Sequence, residues 1–178
     1  MDKETENRLI SLAAGGLGTC LRKLNSVSPG AWRLDGLRVS SGSMTGADDR
    51  DVRGVIRITV KSAPPMITLM LFACADEEHI YRCFVSDSFY KDLGPGMREI
   101  TLLEVGNVLL NALANSLLKA FRKSAIPSVP ERISAAPGAF ADPGGAQHNI
   151  VSAALSVQRD GISTGIELVA MVPGDLAS

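Results

Sequence analysis

The sequence predicts an α+β fold: a mixed or antiparallel sheet with two long helices on one face, arranged as a pseudo-two-fold repeat of one helix and three strands. Three observations predict it. Two segments, about 4–24 and 97–123, carry apolar residues at helical spacing. The stretches after each are rich in Val and Ile and alternate in polarity at strand spacing. The order recurs, and a shift of 96 residues lays Leu21 on Leu117 and sets the two helices in register. Within one domain over 1–178, the pseudo-repeats span about 1–75 and 97–173.

Leu9, Leu12, Ala13, Leu17, Leu21 and Leu24 form the apolar stripe of the first helix. Gly15, Gly16 and Gly18 interrupt it, costing helix stability while permitting close backbone approach. Ser28-Pro29-Gly30 ends that helix. Residues 32–40 and 52–61 read as strands joined by a polar loop at 41–51, and Pro64-Pro65 leads into a buried strand at 66–73. A helix is predicted from Asp76 to about Tyr90, its acidic first turn suited to the helix dipole. The second long helix follows Gly94-Pro95-Gly96 and stops before Pro127 and Pro130. A short strand near Ile133, a Pro/Gly-rich stretch at 135–147 and a hairpin of 149–158 with 162–172, turning at Asp160-Gly161, complete the chain.

Composition narrows the function. The formal charge of −1 and an aromatic content of 4% give no electrostatic or stacking reason to expect nucleic acid or an anionic membrane. The longest apolar run, 66–75, is too short to span a bilayer, and the acidic, polar start of the chain is unlike a signal peptide, so a cytoplasmic location is expected. Three cysteines without secretory context argue against a disulfide framework. Cys74, His79 and Cys83 lie close in sequence but match no common zinc spacing, and no metal site is expected. Gly15-Gly-Leu-Gly18 lacks the Lys and preceding strand of a phosphate loop and reads as helix packing; Cys20 reads as core.

The second long helix is the informative one. Glu104, Asn107, Asn111, Asn115, Lys119 and Arg122 share one arc of a helical wheel, opposite Leu102, Leu103, Leu109, Leu110, Leu113, Leu117 and Phe121. Three Asn residues in one helical stripe are costly, because their side chains compete for the backbone. Glu104 and Asn107, spaced i and i+3, project side by side and can meet one partner together. Thr101-x-x-Glu104 also fits a capping box, in which Glu104 would bond its own backbone if the helix began at Thr101 rather than near Gly96.

Glu104-x-x-Asn107, twenty-two intervening residues and Pro130 resemble the signature of the CheC/CheX/FliY family of chemotaxis phosphatases. The text around it, LLEVGNVLLNALANSLLKAF, is similar to the second signature helix of CheC. The hairpin NIVSAALSVQRDGISTGIELVAMVP is similar in pattern, and LISLAAGGLGTCLRKL resembles an eroded first signature helix. The resemblance implies a phosphatase acting on the aspartyl phosphate of a CheY-like response-regulator receiver domain. It implies that Asn107 positions the attacking water, and that Glu104, with Asn111 beside it, meets the partner. It implies no cofactor of the chain's own, Mg²⁺ being held by the receiver. A CheD-like protein is a further expected partner, and a homodimer through an edge strand is compatible with the sheet.

The chain departs from that pattern in two places. Ile100 stands where the family has Asp or Ser, four residues before the Glu. Arg8 and Ser11 stand in the first helix where a second site would place Glu and Asn, which leaves one site per chain. The alternative function is a non-catalytic scaffold or adaptor of the same fold, binding a receiver, a CheD-like or a flagellar-switch partner.

Overall fold

A computed structural model describes residues 3–42, 53–62, 65–92, 94–133 and 148–174. Helix α1 (Lys3–Val27) is followed by strands β1 (Ala31–Gly42), β2 (Arg53–Val60) and β3 (Met66–Ala73). A 3-10 turn, Cys74–Asp76, then leads to short helices α2 (Glu77–Phe84) and α3 (Asp87–Asp92). The long helix α4 (Pro95–Ala120) precedes β4 (Glu131–Ile133), β5 (His148–Arg159) and β6 (Ile162–Pro173). The loop expected at 41–51 and the stretch at 135–147 fall, from residue 43 in the first case, outside the described residues.

The described strands form one six-stranded sheet in the order β1-β5-β6-β3-β2-β4, and every pairing is antiparallel. The sheet is therefore antiparallel, not mixed. Exchanging β1 with β4, β2 with β5 and β3 with β6 reproduces this order read backwards. The pseudo-two-fold axis thus passes between β3 and β6, and the helix-plus-three-strand repeat is a property of the sheet itself.

Both faces of the sheet are apolar. Toward the helices point Ile56, Ile58, Met70, Phe72, Val151, Ala153, Leu155, Leu168 and Ala170, packed with Leu9, Ala13 and Leu17 of α1 and Leu102, Leu109 and Leu113 of α4. Val55, Leu69, Leu71, Ile150, Val169 and Met171 form a second buried cluster on the opposite face. That is why β3 and β6 read as near-continuous apolar runs. The buried hydroxyl of Thr68, the polar break in β3, donates to the Ile58 carbonyl (3.2 Å).

The two long helices cross at Gly16. A Cβ built there would lie 1.7 Å from Ser116 Oγ and 2.9 Å from Ser116 Cβ, with the Ala112 carbonyl at 3.4 Å. The 96-residue shift maps Gly16 onto Ala112, so these residues meet where the pseudo-axis runs through the helix pair. Cβ atoms built on Gly15 and Gly18 meet no such obstacle, so of the three glycines only Gly16 is explained by helix packing. Cys20 is half-buried, its thiol facing the Val108 carbonyl at 3.8 Å.

The helix expected over 76–90 is broken in two. Val85 is extended (φ −110°, ψ 155°), and the Ser86 hydroxyl accepts the Phe89 N–H (3.4 Å) as α3 begins. The carbonyls at the end of α2 are taken by groups distant in sequence. Gly30 N–H donates to the Cys83 carbonyl (2.8 Å), and the Arg159 guanidinium donates to the carbonyls of Arg82 and Val85. Arg159, whose side chain is 9% exposed, also pairs with Asp87 (2.5 Å) and Asp160 (3.5 Å). The break lets α3 fold back: the rings of Tyr81 and Tyr90 stack at 6.1 Å, with Arg98 of α4 over both.

Arg159→Met is expected to destabilise the protein by about 2 kcal/mol in urea denaturation, chiefly by orphaning two carbonyls. The two aspartates are solvent-exposed and can rehydrate, so the larger penalty of a fully buried broken ion pair does not apply. An unchanged midpoint would show that water replaces the guanidinium without loss.

Candidate functional site

Helix α4 begins at Pro95, whose missing N–H costs nothing at that position, after an extended Gly94 whose carbonyl accepts the Met97 and Arg98 N–H groups (3.0 and 3.1 Å). Thr101 therefore lies inside the helix, its hydroxyl donating to the Met97 carbonyl (2.8 Å). This removes the capping-box alternative and leaves Glu104 free of its own helix terminus. The helix ends at Ala120: Arg122 is left-handed (φ 52°), and the Lys123 N–H reaches back to the Leu118 carbonyl (3.0 Å). Arg122 is thus not part of the helical arc, which runs only to Lys119.

Glu104 is exposed and makes no hydrogen bond or ion pair among the described residues. Asn107, one turn on, is half-buried, as is Asn111, so the Asn stripe is less solvated than the wheel implies. Asn111 Nδ2 donates to Asn107 Oδ1 at 2.7 Å. This bond fixes the plane of the Asn107 amide and uses one of the two lone pairs on its carbonyl oxygen. Asn111 Oδ1 is buried without a partner among the described residues. Its lost hydration is a cost spent on orienting Asn107.

Gly106, between Glu104 and Asn107, sets how deeply the helix sits. A Cβ there would be 2.7 Å from Ile56 Cγ2 on β2. Pro130 lies beyond α4 on a segment laid along β2, where the Ser128 N–H donates to the Thr59 carbonyl (2.8 Å) and Pro127 bridges Val60. Arg132 ties β4 back to the helices through Glu77 (2.6 Å) and Glu99 (2.8 Å). Motif reading missed this clamp, because Arg132, Glu77 and Glu99 are joined only by the fold.

The first helix carries no matching pair: Arg8 and Ser11, at the pseudo-equivalent positions, are both exposed. The Cys74, His79, Cys83 neighbourhood is not assembled for a metal, and no group of three or more His, Cys, Asp or Glu converges among the described residues. Cys83 is buried with its sulfur 3.4 Å from His79 Nε2. Burial pushes its thiol up to about 11, against the opposing pull of Arg159 and Arg82. From an ordinary value of 9.0, that lowers the thiolate fraction at pH 8 about 100-fold, so native alkylation by iodoacetamide is expected to be at least that much slower than in urea. The folded state holds the proton more tightly, so this contribution to stability is complete below 9.0 and is lost as pH rises through about 11. Alkylation of Cys83 at equal rates in both states would contradict this.

A groove of about 420 Å³, lined in part by Asp35, Leu71, Ala154 and Glu167, contains none of Glu104, Asn107 and Asn111. Among the described residues α4 is the one helix long and apolar enough to cross a membrane, and most of its apolar side chains, Met97 and Ile100 excepted, are buried or half-buried in the fold.

The architecture is that of the CheC/CheX/FliY group of proteins, an antiparallel sheet carrying two long helices. It is similar to FliY of Thermotoga maritima (TM-score 0.65, 12% identity, covering 99% of this chain and 93% of that one). It is similar also to the FliM middle domain of H. pylori (TM-score 0.64, 10% identity, 99% and 98% covered). CheX of Borrelia burgdorferi, solved as a complex with CheY, BeF3 and magnesium, matches at TM-score 0.50 with 12% identity over 91% of this chain and 96% of that one. No family model and no curated protein matches the sequence.

Proposed function

We propose that this protein hydrolyses the aspartyl phosphate of a CheY-like receiver domain in chemotaxis signalling. The observation that carries the reading is the pair on α4: an exposed carboxylate without a partner among the described residues, one turn from an amide held by Asn111. An acyl phosphate is already activated, so its hydrolysis needs a water placed in line more than it needs an acid or base. The remaining lone pair of Asn107 Oδ1 accepts a hydrogen bond from that water. As the water oxygen bonds to phosphorus, the bond to the receiver's aspartate oxygen breaks and inorganic phosphate leaves. Glu104 pairs with a cation of the receiver, and Asn111 holds the amide plane.

On this reading the protein has no cofactor of its own, Mg²⁺ belongs to the receiver, and both partners meet in the cytoplasm. A CheD-like protein and a second copy of the chain are further candidate partners. The alternative, a scaffold of the same fold that binds without hydrolysis, draws support from α1, where Arg8 and Ser11 offer no second site, and from Ile100 beside the remaining one. The discriminating experiment is the decay of a radiolabelled phospho-receiver from the same genome, with Mg²⁺, in the presence of wild type or Asn107→Ala. Acceleration by wild type alone supports the phosphatase. Binding without acceleration assigns the chain to the scaffold class.

A further inference from the structure

We infer that the face bearing Glu104 and Asn107 extends toward the start of α4 through Met97 and Ile100, and that these two side chains form the apolar half of the contact with the receiver domain. The inference rests on the receiver-directed reading of Glu104 and Asn107. At 100° per residue, Met97, Ile100, Glu104, Asn107 and Asn111 fall within an arc of about 80°, and they run about 21 Å along the helix. They form one strip.

Met97 is 44% exposed and Ile100 52%, while every other large apolar side chain on α4 is buried or half-buried. A single exposed apolar residue needs no explanation. Here two stand at i and i+3, on the strip that also holds a carboxylate without a partner among the described residues. The packing of α4 does not require them, because its core contacts lie on the other side at Leu102, Leu109 and Leu113. The strip therefore divides by chemistry: two apolar side chains, then one negative charge, then two amides. Its complement is a protein surface presenting a cation beside apolar side chains, with an acceptor of water attack about one turn beyond. A membrane or a nucleic acid fits poorly, since the strip carries no positive charge. Apolar contacts give affinity, a charge pair beside them fixes orientation, and Asn107 is left to act on the bound phosphoryl group.

The test is titration calorimetry with a CheY-like receiver from the same genome, loaded with beryllium fluoride and Mg²⁺. Four proteins are compared: wild type, the double variant Met97→Ser/Ile100→Ser, Asn107→Ala, and Ile162→Ser. Ile162 is 55% exposed at the β5–β6 turn and serves as an apolar surface control. The double variant is expected to bind at least about 10-fold more weakly, as loss of a buried apolar anchor pair does. Its decay rate at saturating concentration should stay within about twofold of wild type, and its thermal midpoint should be unchanged. Ile162→Ser and Asn107→Ala should bind as wild type does.

Binding of the double variant at wild-type strength overturns the apolar extension while leaving the Glu104–Asn107 reading intact. So does a homodimer that the double variant dissolves without any change in receiver binding. If wild type neither binds the receiver nor accelerates its decay, the functional reading itself falls, and this inference falls with it.

Discussion

Replacing Asn107 with Ala is expected to slow phospho-receiver decay by about 100-fold at saturating protein, bringing it close to the receiver's own rate, with affinity for the beryllofluoride receiver unchanged. The size of the effect follows from what the residue does. An amide has no useful pKa, so its removal takes away no acid or base; it takes away the placement of one water. Placement depends on geometry, and misplacing a reacting atom by about 1 Å costs roughly that factor. The site is organised around this atom. Asn111 donates to it at 2.7 Å and leaves its own oxygen buried without a partner among the described residues. Gly106 lets the helix lie against Ile56 so that the amide is half-buried rather than loose in solvent. A decrease in affinity with an unchanged maximal rate would instead make Asn107 a docking residue. An unchanged rate and affinity would remove it from the site.

The second large effect is on stability. Gly16→Val is expected to destabilise the protein by about 3 kcal/mol in denaturant unfolding, at the upper end for overpacking. Exchanging Gly for Val would ordinarily help an exposed helix by only about 0.3 kcal/mol, Val being a poor helix former itself. Here the steric term wins, because the new Cβ would overlap Ser116 and crowd the Ala112 carbonyl. A hydroxyl can rotate away; Ser116 Cβ at 2.9 Å and the helix backbone behind it cannot, so α1 must move off α4. A double-mutant cycle isolates the cause: Ser116→Gly should recover part of the loss in the Gly16→Val background and none in wild type. If Gly16→Val unfolds at the wild-type midpoint, the helices do not meet at this point.

Much of this was legible in the sequence. Helical and strand periods located the two long helices, the first three strands and the terminal hairpin, because each buries one face and the burial writes itself into the residue pattern. The 96-residue offset was legible because Leu21 and Leu117 occupy equivalent places in the two helices. Glu104, Asn107 and Asn111 stood out because Asn is an expensive residue inside a helix. The break after α2 was not legible: Arg159 and the Gly30 amide, which satisfy its carbonyls, come from elsewhere in the chain. Nor was the end of α4 at Ala120, since a left-handed Arg122 gives no composition signal of the kind Gly would.

The sequence by itself determined the fold class, the places of the two main helices and the arc on which the candidate site stands. These depend on local preference and on the alternation of apolar and polar residues, both of which are one-dimensional properties. Only the tertiary structure decided that the described strands are all paired antiparallel with the two-fold between β3 and β6, and that Thr101 lies inside the helix so that Glu104 is not its capping residue. It alone decided that Asn111 holds the Asn107 carbonyl, and that Arg132 joins β4 to Glu77 and Glu99. Each of these depends on which groups distant in sequence find one another, or on how a particular turn or side chain satisfies its hydrogen bonds. Those outcomes follow from packing and from the cost of leaving buried polar groups unpaired, and neither is written in the period of a single segment.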